Sequence, residues 1–407
     1  MAFKERISSF YNLIYEDKSE LFNLPELRKI CFSNGCPDDD KHIRSIVWKV
    51  NYSESKMILY FLIKQLIIRD LKILLGYLPI NRDEWSKCLQ RQRELYKEFV
   101  QDLLIENGNI RQSKNDHPLN TDPNSNWKNY FRENEILQQI DKDVRRLYPD
   151  ISFFQQKISK KFHSCEFDVL DRMNNSAQSV DVIKDCFGMI KMRKNKPFMA
   201  NDSLKTDCDD EFHWQIVARI LFIYAKLNPG QGYVQGMNEI IGPIYYVFAN
   251  DSKLSWREHS EADTFWCFTN LMSEIRDIFN KHADSDKTSG IVSLMGRFVN
   301  ILSKEDSELC QKINLIQGIK PHYYAFRWIT LLLSQEFPLP DVLRLWDYLF
   351  SDENRFDFLL RVCCSMIILI RDQLMSGDFA TNMKLLQNFP DTIETRVIVN
   401  RAKSIRS

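Results

Sequence analysis

The sequence predicts an all-α fold, and three observations carry that prediction. Only 12 glycines and 13 prolines occur in 407 residues, so turn formers are sparse. Period-two alternation bounded by turn signals is scarce, whereas apolar residues recur at helical spacing along most of the chain. The 44 % hydrophobic content is ample for a buried core in one large domain or a few smaller ones.

In chain order, Phe10, Leu13 and Ile14 make the N-terminus amphipathic. Residues 112–126 are turn formers almost throughout and residues 283–290 are short and polar, so both read as loops. Residues 156–211 are mixed. Phe167, Leu170, Val182 and Ile183 suit short helices, while the basic run before Pro197 and the polar run at 201–210 read as mobile. Trp214, Val217, Ala218, Leu221, Tyr224 and Ala225 form one helical stripe, closed by Asn228-Pro229-Gly230. Phe265, Phe268, Leu271, Met272, Ile275 and Phe279 form a second. Val342, Leu345, Trp346 and Leu349 form a third, entered through Pro340-Asp341. No repeat of fixed period links these helices, which argues against a solenoid.

Composition narrows the function classes. Lys plus Arg and Asp plus Glu both total 55, for a formal net charge of zero, so the basic footprint of a nucleic-acid binder is absent. The ten cysteines include no C-x-x-C pair and no cysteine-histidine ladder, so they read as reduced cytosolic thiols rather than metal ligands. The apolar runs Met57 to Ile68 and Phe358 to Ile370 are interrupted by Lys64 and Arg361 and fall short of the roughly twenty residues a membrane span needs. No signal peptide, myristoylated glycine or prenylation cysteine is evident at the ends, so no membrane anchor is expected. A phosphate-binding G-x-x-x-x-G-K-S/T string is also missing, so the chain is not expected to bind nucleotide by itself.

Two short strings carry the chemistry. Ile140-Asp141-Lys142-Asp143-Val144-Arg145-Arg146 offers an arginine, and Tyr233-Val234-Gln235-Gly236-Met237-Asn238 offers a glutamine. Slow GTP hydrolysis lacks positive charge where negative charge develops on the phosphate oxygens, and its attacking water must be held in line; an arginine and a glutamine donated by a second protein meet those two needs. The spacing of Asp143 and Arg146 places them side by side on one helix face, so the carboxylate can orient the guanidinium. Arg145 points about a third of a turn away and reads as a solvated residue without a catalytic role. Gly236 would let a partner's backbone approach, Asn238 would hydrogen-bond the loop that fixes Gln235, and Tyr233 would cap the site or pack.

With these residues in view, the chain resembles the TBC-domain family, helical proteins that accelerate GTP hydrolysis by Rab GTPases through a dual-finger mechanism. The motif I-x-x-D-x-x-R fits Ile140, Asp143 and Arg146, and Y-x-Q-G-M-N fits Tyr233, Gln235, Gly236, Met237 and Asn238. A third block appears as Phe326-Arg327-Trp328, then Phe337-Pro338-Leu339-Pro340, then Leu345-Trp346-Asp347. Gly35-Cys36-Pro37 with Arg44 and Trp48 is similar to the family's opening segment. The stretches 220–230 and 326–341 are most similar to the subgroup typified by the family's member thirteen.

The resemblance implies a single large helical domain over residues 30–390, with two helical lobes and a groove. It would follow an N-terminal helical extension at 1–29, precede a tail at 391–407, and carry a partly disordered insertion at about 156–211. Arg146 and Gln235 would be the catalytic fingers. Asp143, Ile140, Tyr233, Gly236, Met237 and Asn238 would support them. Arg44, Trp48, Trp328, Trp346 and Asp347 read as structural, because buried tryptophans and arginine–carboxylate pairs are common core devices. The implied partner is a Rab GTPase in its GTP-bound state. No cofactor is expected, since GTP and magnesium belong to that partner. Membrane contact would come only through the lipidated Rab, in a cytoplasmic protein recruited transiently to endomembranes to regulate vesicle trafficking. A non-catalytic Rab-binding or scaffold module is the alternative reading.

Two departures stand out. Leu147 follows Arg146 where the family commonly has threonine, so the local hydrogen bond of a threonine is missing. Residues 50–71 interrupt the match with an apolar insertion that begins Val50-Asn51, a dipeptide that a translated splice donor can yield. A retained intron, a lengthened helix and a partner-binding hairpin all fit it. Deleting 50–71 is expected to leave folding and activity intact and to raise solubility, since an exposed apolar segment favours aggregation; loss of folding would mark the segment as core.

Overall fold

The computed structural model describes residues 3–16, 22–38, 41–51, 78, 81–105, 126–158, 180–184, 190–194, 211–279, 290–352 and 354–405. The expected loops at 112–126 and 283–290 therefore lie outside the described residues except at Asn126 and Gly290, and the apolar segment at 50–71 lies outside except at Val50 and Asn51. Among the described residues, every long element is a helix, and the chain divides into two compact units. The first comprises Met1–Arg91, Tyr246–Leu254 and Trp266–Ser407; the second comprises Gln92–Tyr245 and Ser255–Phe265.

The first unit is organised by the helix Leu339–Ser351. Pro340 fits its first turn, where a missing N–H costs nothing, and Asp341 complements the positive end of the helix. The stripe Val342, Leu345, Trp346 and Leu349 is buried. It faces the helices Leu24–Asn34 and Lys41–Asn51. Asn23 caps the former by accepting from the Glu26 N–H at 3.1 Å.

The expected structural residues meet at one buried carboxylate. Asp347, fully buried, accepts from Arg44 Nη2 at 3.0 Å, Trp48 Nε1 at 2.8 Å and the Cys36 N–H at 2.9 Å. Burial alone would lower the Arg44 pKa, but the Asp347 charge and hydrogen bond outweigh it, so the guanidinium stays charged. Trp346 Nε1 donates to the Leu332 carbonyl at 2.9 Å, and its ring lies 6.0 Å from that of Trp48. Trp328 is fully buried on the short helix Ala325–Thr330. The run from Phe358 to Leu369 makes up most of the helix Arg355–Leu369, with Ile370 at its C-terminal end, and Cys363 and Cys364 are buried in it as free thiols. Among the described residues, no helix is long and apolar enough to cross a membrane.

In the second unit the helix Asn126–Val144 packs on the helix His213–Leu227. The latter carries the stripe read from Trp214 to Ala225, and it ends at Asn228, whose N–H bonds the Tyr224 carbonyl. Within it, Arg219 is 2 % exposed and would be costly if unpaired. Glu211 at 2.6 Å and Glu261 compensate it, and Tyr96 donates to Glu261 at 2.7 Å. The two ends of the stretch read as an insertion are joined by backbone hydrogen bonds. The Ile158 N–H donates to the Glu211 carbonyl at 2.7 Å, and the His213 N–H donates to the Gln156 carbonyl at 3.3 Å.

One expectation is corrected within that stretch. Val182 and Ile183 lie in a strand, Val180–Lys184, paired antiparallel to Ile190–Lys194 with Val182 opposite Met192. Val180, Val182 and Ile183 are β-branched, Ile190 and Met192 alternate with Lys191 and Arg193, and five positions are too few for a helical stripe to express itself.

Candidate functional site

All residues of the two strings belong to the second unit. The arginine string ends a helix instead of lying within one. Asn126–Val144 stops two residues before Arg146, which sits in the following turn, its N–H bonded to the Asp143 carbonyl at 3.2 Å. The expected shared helix face is thereby corrected. Tyr148 takes a φ of +44°, a conformation the helix cannot continue through, and Pro149 bars a helical conformation before it. The result still places Arg146 beside Asp143. Its Nε donates to the Lys142 carbonyl at 3.0 Å and its Nη2 reaches Asp143 Oδ1 at 3.4 Å. A cation at a helix C-terminus is favoured by the carbonyls gathered there. The Arg146 side chain remains 73 % exposed.

The glutamine string forms a tight turn. The Met237 N–H donates to the Val234 carbonyl at 3.1 Å, which makes Gln235 and Gly236 the two central residues. Gly236 has a φ of +102°, open to glycine and strained for any other residue at the third position of such a turn. It is also buried, so the turn's conformation by itself calls for glycine here. Gln235 is left exposed at the turn's corner, and Met237 begins the helix Met237–Ala249.

Tyr233 and Asn238 join the strings. The Tyr233 hydroxyl donates to Asp143 Oδ2 at 2.8 Å. Burial, reinforced by the hydrogen bond to Asp143, pushes its pKa well above the usual phenol range, so it remains a donor at neutral pH. Asn238 Nδ2 donates to Glu239 Oε1 at 2.9 Å and toward the Asp143 carbonyl at 3.4 Å. Its Oδ1 also lies 3.5 Å from the Tyr233 hydroxyl, which donates toward it, so Asn238 reaches the glutamine string as expected and the arginine turn besides. Asp143, 6 % exposed, is the centre on which both strings depend, and Ile140 is fully buried beneath it.

Removing the Tyr233 hydroxyl leaves a buried carboxylate short of one charge-assisted hydrogen bond. Tyr233→Phe is therefore expected to destabilise the protein by about 1.5–3 kcal/mol, read as a lower urea midpoint at unchanged slope. An unchanged midpoint would show that the bond contributes nothing to folding.

Sequence reasoning missed three residues around the turn. Leu147, 1 % exposed, packs against Gly242: a Cβ on that glycine would lie 3.1 Å from Leu147 Cδ1 and 3.0 Å from Tyr148 Cε2. The leucine thus anchors the turn by packing where a threonine would use a hydrogen bond. The signal for Gly242 was a glycine within an apolar helical run, a mark of close approach. Arg145 is the third. It is not merely solvated, because its Nε bonds both Asp141 oxygens at 2.9 Å. His213 is a boundary residue, with Nδ1 2.7 Å from the Tyr245 hydroxyl; burial holds its pKa down to about 4, so it is neutral near pH 7. Among the described residues, no group of histidine, cysteine and acidic side chains could hold a metal.

This helical scaffold presents an exposed arginine and an exposed glutamine from two turns joined by a hydrogen bond. The chain belongs to the RabGAP-TBC family. The profile of the Rab-GTPase-TBC domain matches residues 206–375, which include Gln235. The chain is 44 % identical to human TBC1 domain family member 13 over 426 aligned residues, covering 99 % of this chain and 98 % of that protein. The mouse protein of that name gives the same identity and coverage. The crystal structure of the Ypt/Rab-GAP domain of Gyp1p shares the fold, with a TM-score of 0.64 at 22 % identity, covering 99 % of this chain and 98 % of that one.

Proposed function

We propose that this chain is a GTPase-activating protein for a Rab GTPase and that it completes the partner's active site in trans. Arg146 stabilises the charge developing on the transferred phosphoryl group, and Gln235 orients the attacking water. The observation that carries this reading is the Tyr233–Asp143 hydrogen bond at 2.8 Å, which couples the turn bearing the exposed arginine to the turn bearing the exposed glutamine. The partner would be engaged in its GTP-bound form, bringing its own nucleotide and magnesium. The protein would then act from the cytoplasm, regulating vesicle trafficking, and meet endomembranes transiently through the lipidated Rab.

The test is phosphate release from a panel of purified, GTP-loaded Rab proteins with and without this chain. Acceleration of at least one Rab is expected. A chain that binds GTP-loaded Rab proteins but accelerates none of them is a scaffold, and the reading is then wrong. The panel also identifies the substrate, because specificity resides in surface contacts spread over the partner-facing side.

A further inference from the structure

We propose that Arg145 is a positioning residue that sets the aim of Arg146 through a clamp built from three separate segments; this rests on the dual-finger reading above. The Arg145 guanidinium lies over the Trp214 ring, 4.1 Å from its centroid, while its Nε bonds both oxygens of Asp141 at 2.9 Å. Its carbonyl accepts from Gln155 Nε2 at 3.3 Å. Asp141 belongs to the helix that ends at Val144, Gln155 to the 3₁₀ turn Ser152–Gln155, and Trp214 to the first turn of His213–Leu227.

Three elements therefore hold a residue one peptide bond away from the finger. On the other side, Leu147 is buried against Gly242. Both neighbours of Arg146 are tied to other elements, Arg145 with its side chain 44 % exposed and Leu147 buried, whereas the Arg146 guanidinium is 73 % exposed with Asp143 at 3.4 Å. In this arrangement Arg145 is committed to its neighbours, with its guanidinium over an indole and its Nε on a carboxylate. Its cation instead fixes the backbone from which Arg146 projects. Positioning matters because a displacement of about 1 Å at a catalytic group can cost on the order of a hundredfold in rate.

The experiment uses the full chain and a Rab that the wild type stimulates. Arg145→Ala is expected to lower the maximal stimulated rate about ten- to hundredfold, with the half-saturating chain concentration and the thermal midpoint unchanged. Arg145→Lys keeps a cation over the indole but loses the fork, so it should restore part of that rate. In an Arg146→Ala background, Arg145→Ala should remove nothing further, since a positioning residue acts only through the finger. If Arg145→Ala folds poorly, Asp141→Asn serves instead, with a smaller loss in the same direction.

An unchanged maximal rate for Arg145→Ala would overturn the clamp. So would a loss confined to half-saturation, which would mark a direct Rab contact, or a further loss in the Arg146→Ala background. Full stimulation by Arg146→Ala itself would overturn the dual-finger reading, a separate outcome.

Discussion

Arg146→Ala is expected to slow stimulated GTP hydrolysis about a thousandfold or more, the range in which arginine fingers act, while leaving the fold intact. The side chain is 73 % exposed and buries little apolar surface, so its removal should barely move a denaturation midpoint. Arg146→Lys should fail almost as badly. An ammonium is a point charge that cannot span two phosphate oxygens, and it lacks the Nε that bonds the Lys142 carbonyl at 3.0 Å. Gln235→Ala should be comparably damaging if the glutamine takes over water positioning. Single-turnover phosphate release, with circular dichroism to check folding, reads all three variants. Near wild-type stimulation by either Arg146 variant would remove that residue from the mechanism.

The two strings were legible because the residues that do the chemistry are also the ones whose spacing is constrained. Asp143 must reach Arg146 along one segment, and a turn that exposes Gln235 needs glycine after it, so both constraints appear as local patterns. The apolar stripes from Trp214 and from Val342 were legible for a similar reason, since helical burial repeats within a few turns. What holds the arginine turn was not legible. Trp214 lies far along the chain from Arg145, and no local pattern announces that an indole will accept its guanidinium. Leu147 and Gly242 fit each other only after the turn beyond Val144 has docked on the helix Met237–Ala249. The end of the arginine helix was within reach, because Pro149 biases Tyr148 away from helical geometry; the motif's regular spacing favoured a continuous helix instead. The strand Val180–Lys184 shows the opposite failure, in which five residues gave too short a window to tell one period from the other.

Asp347→Ala should be the most damaging single change to stability, costing about 3–5 kcal/mol. The carboxylate is fully buried and accepts from Arg44, from Trp48 Nε1 at 2.8 Å and from the Cys36 N–H at 2.9 Å. Truncation leaves all three donors without that acceptor, and Arg44 keeps only Asp38 as a carboxylate partner, at 2.8 Å. The surviving pair is itself titrated by acid. Burial alone would raise the Asp38 pKa, but the Arg44 hydrogen bond and charge outweigh it and hold it below its ordinary 3.8. A carboxylate with a depressed folded pKa contributes stability that is present above its unfolded value and lost as pH falls through the folded one. Both proteins lose that contribution in acid, and the variant, starting from lower stability, should unfold at a higher pH than the wild type, in addition to its lower urea midpoint at neutral pH. Asp347→Asn retains one acceptor oxygen and should fall between the two proteins. Tryptophan fluorescence follows the change directly, because Trp48 and Trp346 pack at 6.0 Å around this carboxylate. A wild-type urea midpoint for Asp347→Ala would mean that the donors find other partners and that Asp347 does not hold the unit together.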